Sequence, residues 1–261
     1  MPHIHFPSLL RWLLLPLGCA VGGAALASSP LPLQGRWEVV QVAVDHRDQV
    51  HWLYFPDDPR LLGRQLDIGS GGIRFDDDSR PCLKPAMTPL RGGTLQDFIG
   101  VRYQRSAAFG TPARPTLTDF GLKLVDATVA SLQVTCTPGD APWSGAWFVA
   151  LSDGELLTNY DNNGYVLVLR RRGERDPVQA SFACAKARGA TEQAICASAT
   201  LAGYDRSVAA GYRFALERAG DDALTIRQAQ RDWIATRNAC GADADCLGKS
   251  MRERLEQLMQ P

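Results

Sequence analysis

The chain has no excess of charge: its 28 Lys and Arg balance 28 Asp and Glu. No basic footprint for nucleic acid appears, and no acidic excess appears to steer a cationic partner. Histidine is scarce, with four in all, and two of these, His3 and His5, lie at the very start. No C-x-x-C pair, phosphate-binding glycine loop or G-x-S-x-G elbow occurs; Gly69-Ser70-Gly71-Gly72 is the nearest glycine cluster. Zinc sites want close thiolates with His support, and nothing marks a nucleophile beside His46, Asp48 or His51. The sequence therefore assigns no catalytic residue, no cofactor and no metal, and it reads as a non-enzyme. Carboxylate pairs of the glycosidase kind leave no mark in a sequence and stay open.

What the chain does have is an apolar start. Arg11 is the one firm charge in a leader that ends Ala25-Leu26-Ala27, a small-x-small cleavage site. Residues 1–27 read as a secretory signal, which places the mature protein in the periplasm or outside the cell. The competing reading, a lipoprotein anchored through Cys19, has Pro16 where a lipobox carries Leu or Val. Removal of the leader discards one of seven cysteines and leaves six. An even number in an exported chain reads as a disulfide framework.

The apolar pattern changes period near Arg170-Arg171-Arg172. Before it, apolar residues alternate or come in short runs broken by Gly, Pro, Asp and Asn; after it they recur every three or four residues. The chain thus reads as α+β in two domains: 28–170 an antiparallel β-barrel or sandwich, 171–180 a linker, 181–261 a small helical domain. Gly35 to Asp45, the flanks of Gly69–Gly72, and Ala130 to Cys136 read as strands. Trp147 to Arg171 reads as a three-stranded meander turning at Asp153-Gly154 and Asn163-Gly164, both suited to positive φ. About eight strands suggest closure, which removes exposed edges. Trp37, in a Gly-x-Trp opening faintly similar to lipocalin-type barrels, reads as a core residue.

In the second half, Thr191 reads as the cap of a short helix, and Leu201 to Ala219 as a longer one stopped by Gly220. Asp221 or Asp222 would cap a third helix running to Asn238. Asp243 or Asp245 would cap a last one carrying Leu247, Met251, Leu255 and Leu258. Cys240 and Cys246 bracket the corner between the last two helices, so a bridge there staples it. Cys184–Cys196 similarly ties the start of the domain to its first helix. Cys82–Cys136 follows by exclusion. Gln230, Trp233 and Arg237 share one helical face with Ile226 and read as a packed face. In an antiparallel hairpin turning at Gly220, Asp205 and Arg237 lie about equally far from the turn and should form a two-pronged ion pair. Asp76-Asp77-Asp78 reads as a solvated loop, and Asp161 to Gly164 as a plain turn without the ligand spacing of a calcium loop.

"FACAKA" at Cys184, "EQAIC" at Cys196, Leu201, Asp205, Tyr212, Gln230, Trp233, Arg237, Cys240, Cys246-Leu247 and Arg254 recur here in one order. With them the stretch from Ser181 to Leu258 resembles the LprI-type lysozyme-inhibitor domain, a small exported helical domain. Tyr204 departs from the pattern, where members usually carry Leu. The resemblance implies a bacterial envelope protein that inhibits a lysozyme or another peptidoglycan hydrolase, but it names no inhibitory residues. Two alternatives remain from the sequence: a periplasmic module whose β domain holds a small ligand, and a structural envelope protein.

Overall fold

The computed structural model describes residues 33–47, 53–77, 79–104, 113–160 and 164–260. The leader with Cys19, as well as Asp48, His51, Asp78 and Asp161 to Asn163, lies outside them. Residues 31–261 form one compact unit. Its first part is an antiparallel sheet of eight strands in the order β3-β2-β1-β10-β9-β8-β7-β4. The strands are β1 (Gly35–Val44), β2 (Gln65–Gly69), β3 (Gly72–Phe75), β4 (Ala86–Pro89), β7 (Ser131–Thr135), β8 (Trp147–Ala150), β9 (Glu155–Thr158) and β10 (Tyr165–Arg172). A two-stranded ribbon, β5 (Gly93–Thr94) with β6 (Thr128–Val129), stands apart from it.

The sheet curls into a half-barrel. Among the described residues no continuous ladder joins its ends, so the barrel or sandwich expected from sequence takes the form of a curled sheet that does not close. The ends meet at one bridge, where Ile73 of β3 and Cys82 exchange two hydrogen bonds of 2.9 Å. Cys82 is disulfide-bonded to Cys136, directly after β7, so the last tie between the two ends is covalent. The β-branched run of β1 pairs with β2 on one side and β10 on the other, with an irregularity between Val39 and Gln41.

The continuous apolar run Val166-Leu167-Val168-Leu169 is explained by burial of both sheet faces. Tyr165, Leu167 and Leu169 enter the hollow of the half-barrel with Trp37, Phe75, Trp143, Phe148 and Tyr160. Val166 and Val168 point outward, where they meet Trp147, Val149 and Leu157 under a cover of Leu95, Ile99 and Phe120. Leu95 and Ile99 belong to α1 (Leu95–Arg102), a short helix that the alternating reading of this half did not anticipate. Thr94 caps it by accepting from Asp97 N at 3.2 Å. Trp37 lies in the core with its Nε1 donating to Leu33 O at 2.8 Å, and Arg171 stacks on its ring.

The second part comprises α2 (Ala190–Ala197), α3 (Ala199–Arg218), α4 (Ala223–Asn238) and α5 (Ala244–Met259). Ser198 caps α3 by accepting from Leu201 N, and Asp243 caps α5 by accepting from Asp245 N and Cys246 N. Thr191 is not a cap. It lies inside α2, and its hydroxyl donates across to Asn238 O and Gly241 O, tying α2 to the α4–α5 corner. Asp222 precedes α4 without a side-chain cap bond. Gly220 and Gly241 adopt positive φ at the two corners, where a side chain would be strained. Ile195, Leu201, Val208, Leu247, Met251 and Leu255 form the helical core. At Gly211 the helices approach closely: a Cβ there would stand 3.0 Å from Leu255 Cδ1.

The two parts meet along α3. Arg64 of the half-barrel is fully buried; its guanidinium lies 3.2 Å from the centroid of the Tyr204 ring, and its Nη2 donates to Ser207 Oγ at 3.1 Å. The Tyr204 hydroxyl donates to Asp76 O at 2.5 Å, and Arg206 pairs with Glu38 at 2.6 Å. Phe55 stacks on Phe214. The Asp76 carboxylate oxygens are buried and face Arg64, with 3.8 Å between the charged atoms, and Asp77 accepts from the Tyr160 hydroxyl at 2.5 Å. The solvated loop expected at these two residues is corrected on this ground: they anchor the chain against aromatic side chains and a buried arginine.

Candidate functional site

The helical region is built around short covalent and polar ties. The six cysteines pair as Cys82–Cys136, Cys184–Cys196 and Cys240–Cys246. The last two enclose sequence separations of 12 and 6 residues; the first ties the start of the region to α2 and the second closes the α4–α5 corner. A small helical region has a small core, and each such link contributes about 2–3 kcal/mol on the chain-entropy model, so the corners depend on them.

Asp205 of α3 and Arg237 of α4 stand 3.3 Å apart, with side chains 6% and 11% exposed. The contact is single, not two-pronged. The second Asp205 oxygen accepts from Ser181 N at 2.7 Å, and Arg237 turns its Nε and Nη2 to the Asn238 side chain. Burial pulls the Arg237 pKa down, while Asp205 and Glu192 act to raise it. The pair thus pins the entry of the helical region, at Ser181, to the end of the α3–α4 hairpin far from its turn.

The rest of the Gln230, Trp233 and Arg237 face is also engaged within the region. Trp233 Nε1 donates to Ser250 Oγ at 3.1 Å, and its ring carries Arg237. Gln230 accepts from Arg254 Nε at 3.0 Å. Sequence reasoning missed this last contact because Arg254 is on a different helix, and no spacing rule links the two.

Only the second half of α4 is seated this way. Of its residues only Gln230 and Arg237 are buried, and those of its first turns, Ala223 to Ala229, are exposed or half-buried. Beside these turns lies a cleft of about 330 Å³ lined by Ala215, Arg218, Ile226, Ala229, Arg254 and Leu258, among others. The opposite side of α3, with Gly203, Tyr204 and Ser207, is covered by the half-barrel. Tyr204, the departure from the family pattern, is one of the residues that grips the half-barrel.

His46 is exposed on a turn, with its backbone N–H donating to Asp119 O. Among the described residues, no three His, Cys, Asp or Glu side chains gather as a metal site would need, and no helix is long and apolar enough to cross a membrane. No curated protein and no solved structure matches the chain. Residues 184–258, the span from the first disulfide of the helical region to the end of its core, match the family model described as Lysozyme inhibitor LprI.

Proposed function

We propose that this is an exported protein inhibitor of a lysozyme or a related peptidoglycan hydrolase, held in the periplasm or secreted. The observation that carries the reading is the family match over 184–258, which falls on the disulfide-tied helices α2 to α5. Three disulfides suit an oxidising compartment, where such hydrolases act on the cell wall. Inhibition by a protein needs a rigid surface whose binding leaves little ordering entropy to lose. The stapled corners and the buried Asp205–Arg237 contact supply that rigidity. The mechanism is steric: a helix end or corner of the region occupies the substrate cleft of the enzyme and keeps its carboxylates from the sugar.

The half-barrel serves in this reading as the body that carries α3. Its hollow is filled by Trp37, Trp143, Phe148, Tyr160 and Tyr165, all buried, which favours a supporting role over the holding of a small ligand.

The test is inhibition of cell-wall lysis by the oxidised mature protein against lysozymes of several classes. Slowing of at least one class, with loss of the effect after reduction and alkylation, supports the proposal. Failure against every class, by protein shown to be folded, would move the assignment to a structural envelope protein.

A further inference from the structure

Three arginines are, as whole residues, at least nine-tenths buried among the described residues: Arg64, Arg237 and Arg254, the last with its guanidinium reaching toward a cleft. Two of them face carboxylates, Arg64 with Asp76 and Arg237 with Asp205. Arg254 does not. Its Nε donates to Gln230 Oε1 at 3.0 Å and its Nη1 to Gln257 Oε1 at 3.2 Å, both neutral amides. Its Nη2 makes no hydrogen bond among the described residues. Buried charges are normally paired, because desolvation is costly when no opposite charge offsets it. Consistent with this, burial lowers the Arg254 pKa, and no carboxylate acts to raise it.

Arg254 also lines the cleft between the first turns of α4 and the C-terminal ends of α3 and α5. Around the guanidinium the walls are small and apolar: Ala215, Ala229, Ile226 and Leu258. The charged groups on the rim are Arg218 and Asp222, so two cations stand against one carboxylate. The carbonyl ends of α3 and α5 favour cations there, which helps hold Arg254 in place but adds no counter-charge of full strength. With two of its nitrogens fixed by amides, the fork of Arg254 is pre-oriented for a planar anion.

We propose that this cleft is the docking site for a carboxylate side chain of the partner protein, received by Arg254. The partner's identity rests on the functional reading above; the carboxylate specificity rests on the geometry alone. A hydrolase that cleaves glycosidic bonds through paired Asp or Glu side chains presents such groups at its working cleft. The half-barrel covers the other side of α3, so a partner reaches the helical region from the side of this cleft, at the first turns of α4.

Two variants test this on the full chain. Gln257→Glu places a carboxylate where Arg254 already finds an amide oxygen, and so fills the site from within. Arg254→Gln removes the charge. The probe is N-acetyl-aspartate amide, followed by the NMR signals of the Arg254 side chain and the Ala229 and Leu258 amides, with inorganic phosphate as a comparison. Saturable, carboxylate-selective shifts in the wild type that vanish in Gln257→Glu, whose melting temperature should rise, support the proposal. Arg254→Gln should lose them too. Shifts that persist in Gln257→Glu, or that phosphate produces and the carboxylate does not, overturn it. This experiment does not depend on any lysozyme being inhibited. For a lysozyme that the wild type does inhibit, both variants should weaken inhibition about tenfold or more, the loss expected of one charge-assisted hydrogen bond. Undiminished inhibition by Gln257→Glu would overturn the docking site while leaving the inhibitor reading intact.

Discussion

Gly203 on α3 lies directly against Gly63 of the half-barrel: a Cβ built at Gly203 would stand 2.5 Å from the Gly63 carbonyl oxygen. The two backbones approach here because Gly203 carries no side chain; a Cβ at Gly63 would have no contact nearer than 3.4 Å. Gly63 also has a φ of +80°, a conformation that side chains rarely adopt. Arg64 and Ser207 then close the contact on either side. Gly203→Ala is therefore expected to destabilise the protein by ~1–3 kcal/mol, the usual cost of overpacking, and to lower the melting temperature by several degrees. Gly189→Ala, at a site with open space and ordinary φ, should be close to neutral. Equal melting temperatures for the two variants would refute a tight contact between α3 and the half-barrel.

Asp76 gives that contact a pH dependence. Burial is the main cause that raises its pKa from 3.8 to about 6, and Arg64 only partly opposes it. Because the folded-state value exceeds the unfolded one, the native protein holds this proton more tightly. The contribution to stability is fully present below about pH 4 and is lost as pH rises through about 6. At ~1.4 kcal/mol per pKa unit the loss reaches up to ~3 kcal/mol. Urea unfolding from pH 4 to 7 should show it as a difference between the wild type and Asp76→Asn, which carries no titrating group. The stability of Asp76→Asn should gain on that of the wild type across this window. Parallel curves would rule out a buried, titrating Asp76.

How far the sequence reveals this architecture depends on whether the interactions are local or distant. The meander from Trp147 to Arg172 and the corners at Gly220 and Gly241 are legible because turn residues and periods of two or 3.6 are local signals. α1 is not, since its eight residues fall among strands and its stability comes from Leu95 and Ile99 packing on the sheet. β4 is missed because it is a short edge strand ending in Pro89. Nor could any spacing show that Tyr204 reaches Asp76, 128 positions earlier, or that Arg254 finds only amides. The candidate cleft depends on that second kind of information: where α4 stops packing, and which buried cation lacks a counter-charge.

The disulfides should differ in weight according to the chain they enclose. Cys82–Cys136 spans 54 residues and Cys240–Cys246 spans 6. On the chain-entropy model the first contributes about 4 kcal/mol and the second about 2. Cys82 and Cys136 are also buried in the half-barrel core, and Cys82 forms the one isolated bridge to β3 among the described residues. The double variant Cys82→Ala/Cys136→Ala should thus lose more stability in denaturant melts than Cys240→Ala/Cys246→Ala. The second pair of changes should instead loosen the α4–α5 corner, seen as faster amide exchange around Gly241 and Asp243. A larger loss from the Cys240–Cys246 pair would mean that the half-barrel holds its ends together without the long-range link.

Asp205 and Arg237 separate a structural role from a working one. Both are largely buried, and both lie on the helix faces that meet each other, away from the cleft at the first turns of α4. Removing one partner strands a charge, a loss that runs to ~3–5 kcal/mol for buried pairs. Arg237→Met should therefore lower the melting temperature markedly, and Asp205→Asn likewise. The double variant should lose less than the sum of the two, because it leaves no charge behind. Arg237→Met also spares the cleft, so below its melting temperature it should bind the carboxylate probe and any inhibited lysozyme as the wild type does. Arg254→Gln should behave in the opposite way, with modest loss of stability and large loss of binding. If Arg237→Met kept full stability but lost its partner, the working surface would lie on the Trp233 face of α4 and not at its first turns.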